Sequence, residues 1–111
     1  MRITDTEKDG IVIIKLAGHM DLESIGLLTE RVKELRKQGR NKFVFNMIDV
    51  TDLSSSGIAR VFQIHRELEM TGGSLVLTEL SAVVEYVLDL ARLLEEFTIV
   101  PHEKQAIDML K

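Results

Sequence analysis

Between Phe43 and Leu68 the hydrophobic pattern changes period, and that change leaves few architectures open to the chain. Phe43-Val44-Phe45-Asn46-Met47-Ile48 is a near-continuous apolar run of strand length, the pattern of a strand buried on both faces. Ile58, Val61, Ile64 and Leu68 then recur at helical spacing. The residues between them include three consecutive hydroxyls and a glycine, Ser54-Ser55-Ser56-Gly57. A buried strand passing through a short polar turn into an amphipathic helix is the repeating unit of a parallel α/β sheet.

The rest of the chain continues that alternation. Arg2–Glu7 and Ile11–Ala17 read as strands joined at Lys8-Asp9-Gly10, where Asp-Gly signals a hairpin. Gly18-His19-Met20-Asp21 leads into a first helix carrying Ile25, Leu28, Val32 and Leu35, with Asp21 as its N-cap, Glu23 against its dipole and Gly39 at its end. The first strand of the central unit is expected to end near Ile48, and Gly72-Gly73 stops the second helix. Ser74–Leu77 is a short strand, and Ser81 caps a third helix with Val84, Val87, Leu88 and Ala91 inward. Glu96–Val100 is the last strand, and after Pro101 a short helix buries Ala106, Ile107 and Leu110.

The expected fold is therefore a single α/β domain over residues 1–111: a mostly parallel central sheet, an N-terminal antiparallel hairpin at its edge, and about four helices. Ile13, Leu16, Val44, Phe45, Val61, Val76, Leu77 and Leu88 are the expected core. Parallel sheets present their sites at the carboxyl ends of the strands. Those ends are the segments 18–21, 49–56, 78–80 and 101–102, and the serine turn is among them.

At that turn a serine has two available roles. Its hydroxyl can cap the helix, or it can carry a phosphate, which the free N–H groups and positive dipole end of a helix start would favour. Composition limits the alternatives. With no cysteine, thiol catalysis, disulfides and thiolate-bound zinc are excluded. A net charge of −4 with dispersed Lys and Arg gives no footprint for nucleic acid, and one Tyr and no Trp make no stacking platform for single strands. The apolar runs are far shorter than the ~20 residues of a membrane helix, and no signal peptide opens the sequence, so a cytoplasmic protein without membrane insertion is expected.

Three segments resemble a known family, the STAS domains, and within it the bacterial anti-sigma-factor antagonists. Val50-Thr51-Asp52-Leu53-Ser54-Ser55-Ser56-Gly57-Ile58 is similar to the family's strand-exit segment ending Asp-Ser-Ser-Gly-Leu. Gly18-His19-Met20-Asp21 is similar to its Gly-x-Leu-Asp loop, and Gly72-Gly73-Ser74-Leu75-Val76-Leu77 to its Gly-Gly-x-Leu-x-Leu segment. The resemblance runs from about Ile11 to Leu110. It implies a partner-switching circuit in which an anti-sigma factor that is also a serine kinase phosphorylates the serine before the glycine, here Ser56, with Ser55 in reserve. The phosphorylated antagonist lets go and a phosphatase resets it. The implied partner surface is His19, Asp21, Asp49, Asp52, Ser54, Ser55 and Gly57, with Arg60 and Gln63 on the second helix. This chain departs from the family in having Ser54 where an aspartate is usual, and Asn46-Met47-Ile48 in place of Asp-Leu-Ser.

A scaffold subunit of a signalling or lipid-transport assembly, with Ser56 only capping the helix, is the alternative binding role. Enzymatic readings are weaker. A nucleophile elbow needs glycine two residues to either side of its serine, whereas Ser54 has Asp52 before it and Gly57 three residues after. His65 is expected on a helix flank or interface, nine residues past Ser56, and His19 in the loop beside the turn. His19, His65 and His102 share no metal-ligand spacing, and Gly72-Gly73 lacks the continuation of a phosphate-binding loop. No enzyme activity, cofactor or metal is expected.

Overall fold

The computed structural model describes all residues from 1 to 111. Strands β1 (Arg2–Lys8) and β2 (Ile11–Met20) form the hairpin, followed by α1 (Ile25–Lys37), β3 (Lys42–Leu53), α2 (Ser55–Met70), β4 (Ser74–Thr78), α3 (Ala82–Leu90), β5 (Thr98–Val100) and α4 (Glu103–Leu110). At the hairpin turn Asp9 and Gly10 both have positive φ (55° and 78°), as a type I′ turn requires. The five strands lie in the order β1-β2-β3-β4-β5, antiparallel for the first pair and parallel for the others.

Because each crossover moves to the next strand in the same direction, right-handed connections place α1, α2 and α3 on one face of the sheet. Their inward residues, among them Leu28, Ile58, Val61 and Leu88, join Leu16, Phe45 and Leu77 in one large core. The opposite face is covered only by α4, where Ala106, Ile107 and Leu110 pack on Ile13, Val44 and Val76. All eight expected core residues are buried. Of the third-helix stripe, Val84 and Leu88 are buried, Val87 is partly covered and Ala91 is exposed as the C-cap.

The two strands flanking the first helix run further than their sequence suggests. Gly18, His19 and Met20, expected in a loop, complete β2, and residues 49–53, also expected in a loop, complete β3. They pair with each other, Gly18 with Val50, His19 with Asp52 and Met20 with Leu53. The register slips between Lys15 and Ala17 and again between Gly18 and His19, each slip adding one residue to β3. Burial along β3 consequently falls at Met47, Val50 and Leu53, a spacing of three that hides the strand from a search for alternation.

The helix entries also differ in detail. The N-cap of α1 is Ser24, not Asp21, which instead closes the irregular turn before the helix: its Oδ1 accepts the Ser24 N–H at 2.9 Å, while Ser24 Oγ accepts the Asp21 N–H at 3.0 Å. The regular helix begins only at Ile25, so Glu23 lies in the preceding turn. The last strand is three residues long, starting at Thr98 instead of Glu96.

Candidate partner-binding and phosphorylation site

Helix α2 begins immediately beyond β3, and its first turn is tied to the end of β2. Ser54 has extended backbone (φ −83°, ψ 162°) and stands at the N-cap, its Oγ accepting the Gly57 N–H at 3.0 Å. The Ser54 N–H donates to Met20 O at 3.0 Å, and the Ile58 N–H donates to Ser54 O at 3.0 Å. Gly57 sits against the same carbonyl. A β-carbon there would lie 2.5 Å from Met20 O, so only glycine lets the helix start approach the β2 end this closely. The glycine thus serves the chain's own packing.

The three serines divide their roles. Ser54 is half-buried and occupied as the cap, whereas Ser55 and Ser56 are exposed at the first and second helical positions. Their N–H groups have no acceptor within the helix. Ser56 Oγ lies 3.3 Å from Ser54 Oγ, close enough to share a proton. Arg60, one turn along the same helix face, has no carboxylate within 4 Å, and Gln63, a further turn along, is held by Glu67 at 3.3 Å.

Most of the expected site residues are brought together around this turn. His19 Nδ1 is 3.5 Å from Asp52 Oδ2 across the β2–β3 pair, with both side chains exposed. Asp21 follows Met20 directly, and the Ser24 N–H holds its carboxyl below the usual carboxylate range. Asp49 is not at the turn. It lies four residues back along β3, paired with Lys15 at 3.2 Å. Two apolar residues were missing from the expected set: Leu22 (66% exposed) and Leu27 (57% exposed) flank Asp21 on the approach to α1 and along its first turn. Leu27 is marked in the sequence by falling off the buried Ile25–Leu28–Val32–Leu35 stripe, whereas Leu22, three residues before Ile25, would extend that stripe and is exposed because the helix begins only at Ile25.

His65 is not on a helix flank. It is buried, with Nε2 3.0 Å from Glu69 Oε1 and its ring 6.2 and 5.2 Å from those of Phe62 and Phe97. No grouping of three or more His, Asp or Glu side chains is placed to hold a metal. The larger surface hollows, about 280–450 Å³, are lined by residues outside the serine turn. An unbroken strand order has no reversal at which a crevice would open, so the turn stands on a surface suited to a protein partner more than to a small substrate.

Asn46, where the family usually has aspartate, is buried beside α4. Its Nδ2 donates to Glu103 Oε1 at 3.0 Å and its Oδ1 accepts the Ile48 N–H at 3.1 Å. An amide satisfies both neighbours at once, whereas a carboxylate would face Glu103 with like charge.

A family model described as the STAS domain matches residues 2–106. The chain belongs to the STAS domain family. Solved structures of similar fold include a candidate anti-sigma factor antagonist of Thermotoga maritima (22% identity, TM-score 0.89), covering 97% of this STAS chain and 93% of that one. The anti-sigma factor antagonist SpoIIAA in its unphosphorylated form is 24% identical (TM-score 0.81), over 97% and 95% of the two chains. SpoIIAA of Bacillus in the phosphorylated form is 22% identical (TM-score 0.76), over 99% and 100%. At these identities the likeness establishes the STAS fold. No helix is long and apolar enough to cross a membrane.

Proposed function

We propose that this STAS domain is an anti-sigma factor antagonist that binds an anti-sigma factor with serine-kinase activity and is released when Ser56 is phosphorylated. The observation that carries this reading is the separation of roles at the turn: Ser54 caps α2, and the Ser56 hydroxyl stays exposed at the helix start, its one side-chain partner the Ser54 hydroxyl at 3.3 Å. Two of the similar structures are one antagonist in its unphosphorylated and phosphorylated forms, which supports the same assignment.

A phosphate would add about −1.5 to −2 charges and strong acceptor oxygens to this surface. In the free protein the Ser55 and Ser56 N–H groups and the unpaired Arg60 one turn away would stabilise it. In a close-packed complex it would lose hydration and meet the exposed carboxylates of Asp21 and Asp52. Affinity then changes without a change of fold. A phosphatase acting on phosphoserine closes the cycle, and no cofactor or catalytic group of this chain is required.

The test is incubation with ATP and the histidine-kinase-like ATPase encoded nearest the gene, followed by fragmentation of the product. One phosphate on Ser56, its absence in Ser56→Ala, and weaker anti-sigma binding by Ser56→Asp are the expected results. Phosphate on Ser55 instead would move the switch by one residue. If neither serine is modified and Ser56→Asp binds as wild type does, the chain is a non-switching scaffold subunit of a signalling or transport assembly.

A further inference from the structure

Strand β3 overruns its neighbour. β4 ends at Thr78, paired with Asn46, while β3 continues seven residues further to Leu53. β5 is only three residues long and ends at Val100, beside Thr78. The step leaves an open hollow of about 450 Å³ at the carboxyl end of the sheet. Ile48 (48% exposed), Leu80, Ile99 and Pro101 form its apolar walls, and the carboxylates of Glu79 and Glu85 stand among them. Glu79 is fixed there. Its backbone is left-handed (φ 53°) and its Oε2 accepts the Glu103 N–H at 3.0 Å at the start of α4.

We propose that this hollow is a second anchoring point for the protein partner, taking an apolar side chain flanked by lysine or arginine. Three observations converge. The volume suits two or three side chains. The walls are apolar and include an Ile that water half covers, so an inserted aliphatic group removes exposed surface on both sides. The charges nearby are negative, and neither Glu79 nor Glu85 has a cation within 4 Å, so a basic flank is complementary and an acidic one is repelled. A lysine or arginine stem can lie on the apolar wall with its head at a carboxylate.

The partner identity rests on the reading above, because the hollow and the serine turn lie along one strand. Six residues at a rise of about 3.3 Å put Ser54 roughly 20 Å from Ile48. A standard interface of about 800 Å² per partner is wide enough to cover both.

The experiment is methyl NMR of the full chain, titrated with the blocked tripeptide Arg-Leu-Arg and, as control, Glu-Leu-Glu. The basic peptide should shift the Ile48, Leu80 and Ile99 methyls with a millimolar midpoint, and added salt should weaken it. Glu85→Gln should raise the midpoint by up to about fivefold, the upper range for an exposed ion pair. Ile48→Lys, an exposed substitution that places a cation in the hollow, should abolish the shifts while the melting temperature is kept. Equal binding of the acidic control, equal binding of free arginine, or shifts confined to other methyls would overturn the proposal. Its failure is separable from that of the switch: phosphorylation of Ser56 does not require the hollow, and peptide binding in the hollow does not require a kinase.

Discussion

Replacing Gly57 with alanine should destabilise this domain, although alanine is the better helix former. The added β-carbon would meet Met20 O at 2.5 Å, Met20 C at 3.1 Å and Met20 Cγ at 3.3 Å. Two of those three atoms are backbone, so the clash is relieved only by moving the start of α2 away from β2. That movement stretches the 3.0 Å bond from the Ser54 N–H to Met20 O. Overpacking of this kind costs about 1–3 kcal/mol. Against it stands the helix-propensity gain of glycine to alanine, up to about 1 kcal/mol. With the full gain subtracted the net loss is about 0–2 kcal/mol, a fall in melting temperature of up to roughly 8 °C for a domain of this size. Gly26 supplies the control. It lies at the second residue of α1, where an added methyl would have nothing within 4 Å, so Gly26→Ala should leave stability unchanged or raise it by up to about 1 kcal/mol. Urea and thermal denaturation of the two variants read out the opposite signs. A Gly57→Ala midpoint above that of wild type would refute the close contact and the reason given for glycine at this position.

Ser54→Ala should cost about 0.5–2 kcal/mol through loss of the cap to the Gly57 N–H, whereas Ser56→Ala should stay within about 0.5 kcal/mol of wild type; comparable losses in urea titrations of the two would contradict the division of roles. Asp5 pairs with Arg31 through two bonds of 2.7 and 2.9 Å, and that bonding holds its carboxyl below the usual range. Asp5→Asn should therefore melt below wild type at neutral pH, and the gap should close as pH falls below about 4 through the depressed titration of Asp5; a gap independent of pH would show that the charge plays no part.

The order and type of every element were legible because the hydrophobic period changes cleanly at each boundary. Phe43–Ile48 is continuous, Ile58–Leu68 is helical, and Asp9-Gly10 supplies a turn that few other dipeptides would form. What sequence reading lost was the second half of β3. Two register slips insert extra residues, so Val50 and Leu53 follow Met47 at intervals of three, with Asp49, Thr51 and Asp52 exposed between them. Such a segment has the composition of a loop, and only its partner strand makes it a strand. The same cause misplaced Asp49 at the turn. His65 was hidden for a different reason. Position 65 lies four residues past Val61 and three before Leu68, on the buried stripe, but a polar residue type argued against burial there, and the aromatic neighbour Phe97 that packs on it comes from a distant part of the chain. The serine turn itself was visible, but which serine caps was not, because three identical residues offer the cap equally until the backbone fixes the first helical position.

That assignment bears on how a switch can operate without unfolding its carrier. If the modified hydroxyl were also the cap, each phosphorylation would remove a structural hydrogen bond and couple signalling to stability. With Ser54 as the cap, modification of Ser56 would cost the 3.3 Å contact between the two hydroxyls and leave the acceptor of the Gly57 N–H in place. The helix start contributes to both functions through different groups: Ser54 Oγ takes one N–H of the first turn, and the N–H groups of Ser55 and Ser56 stay available to an anion. Serine in place of the family's usual aspartate at position 54 retains an oxygen acceptor for the cap while removing a negative charge two residues from Ser56. A phosphate would then face less repulsion inside the free protein than it would beside an aspartate cap, and the penalty it exerts falls more fully on the complex. On the proposed reading, partner release would depend on the charge a partner must bury at this turn, with the fold beneath it left as it was.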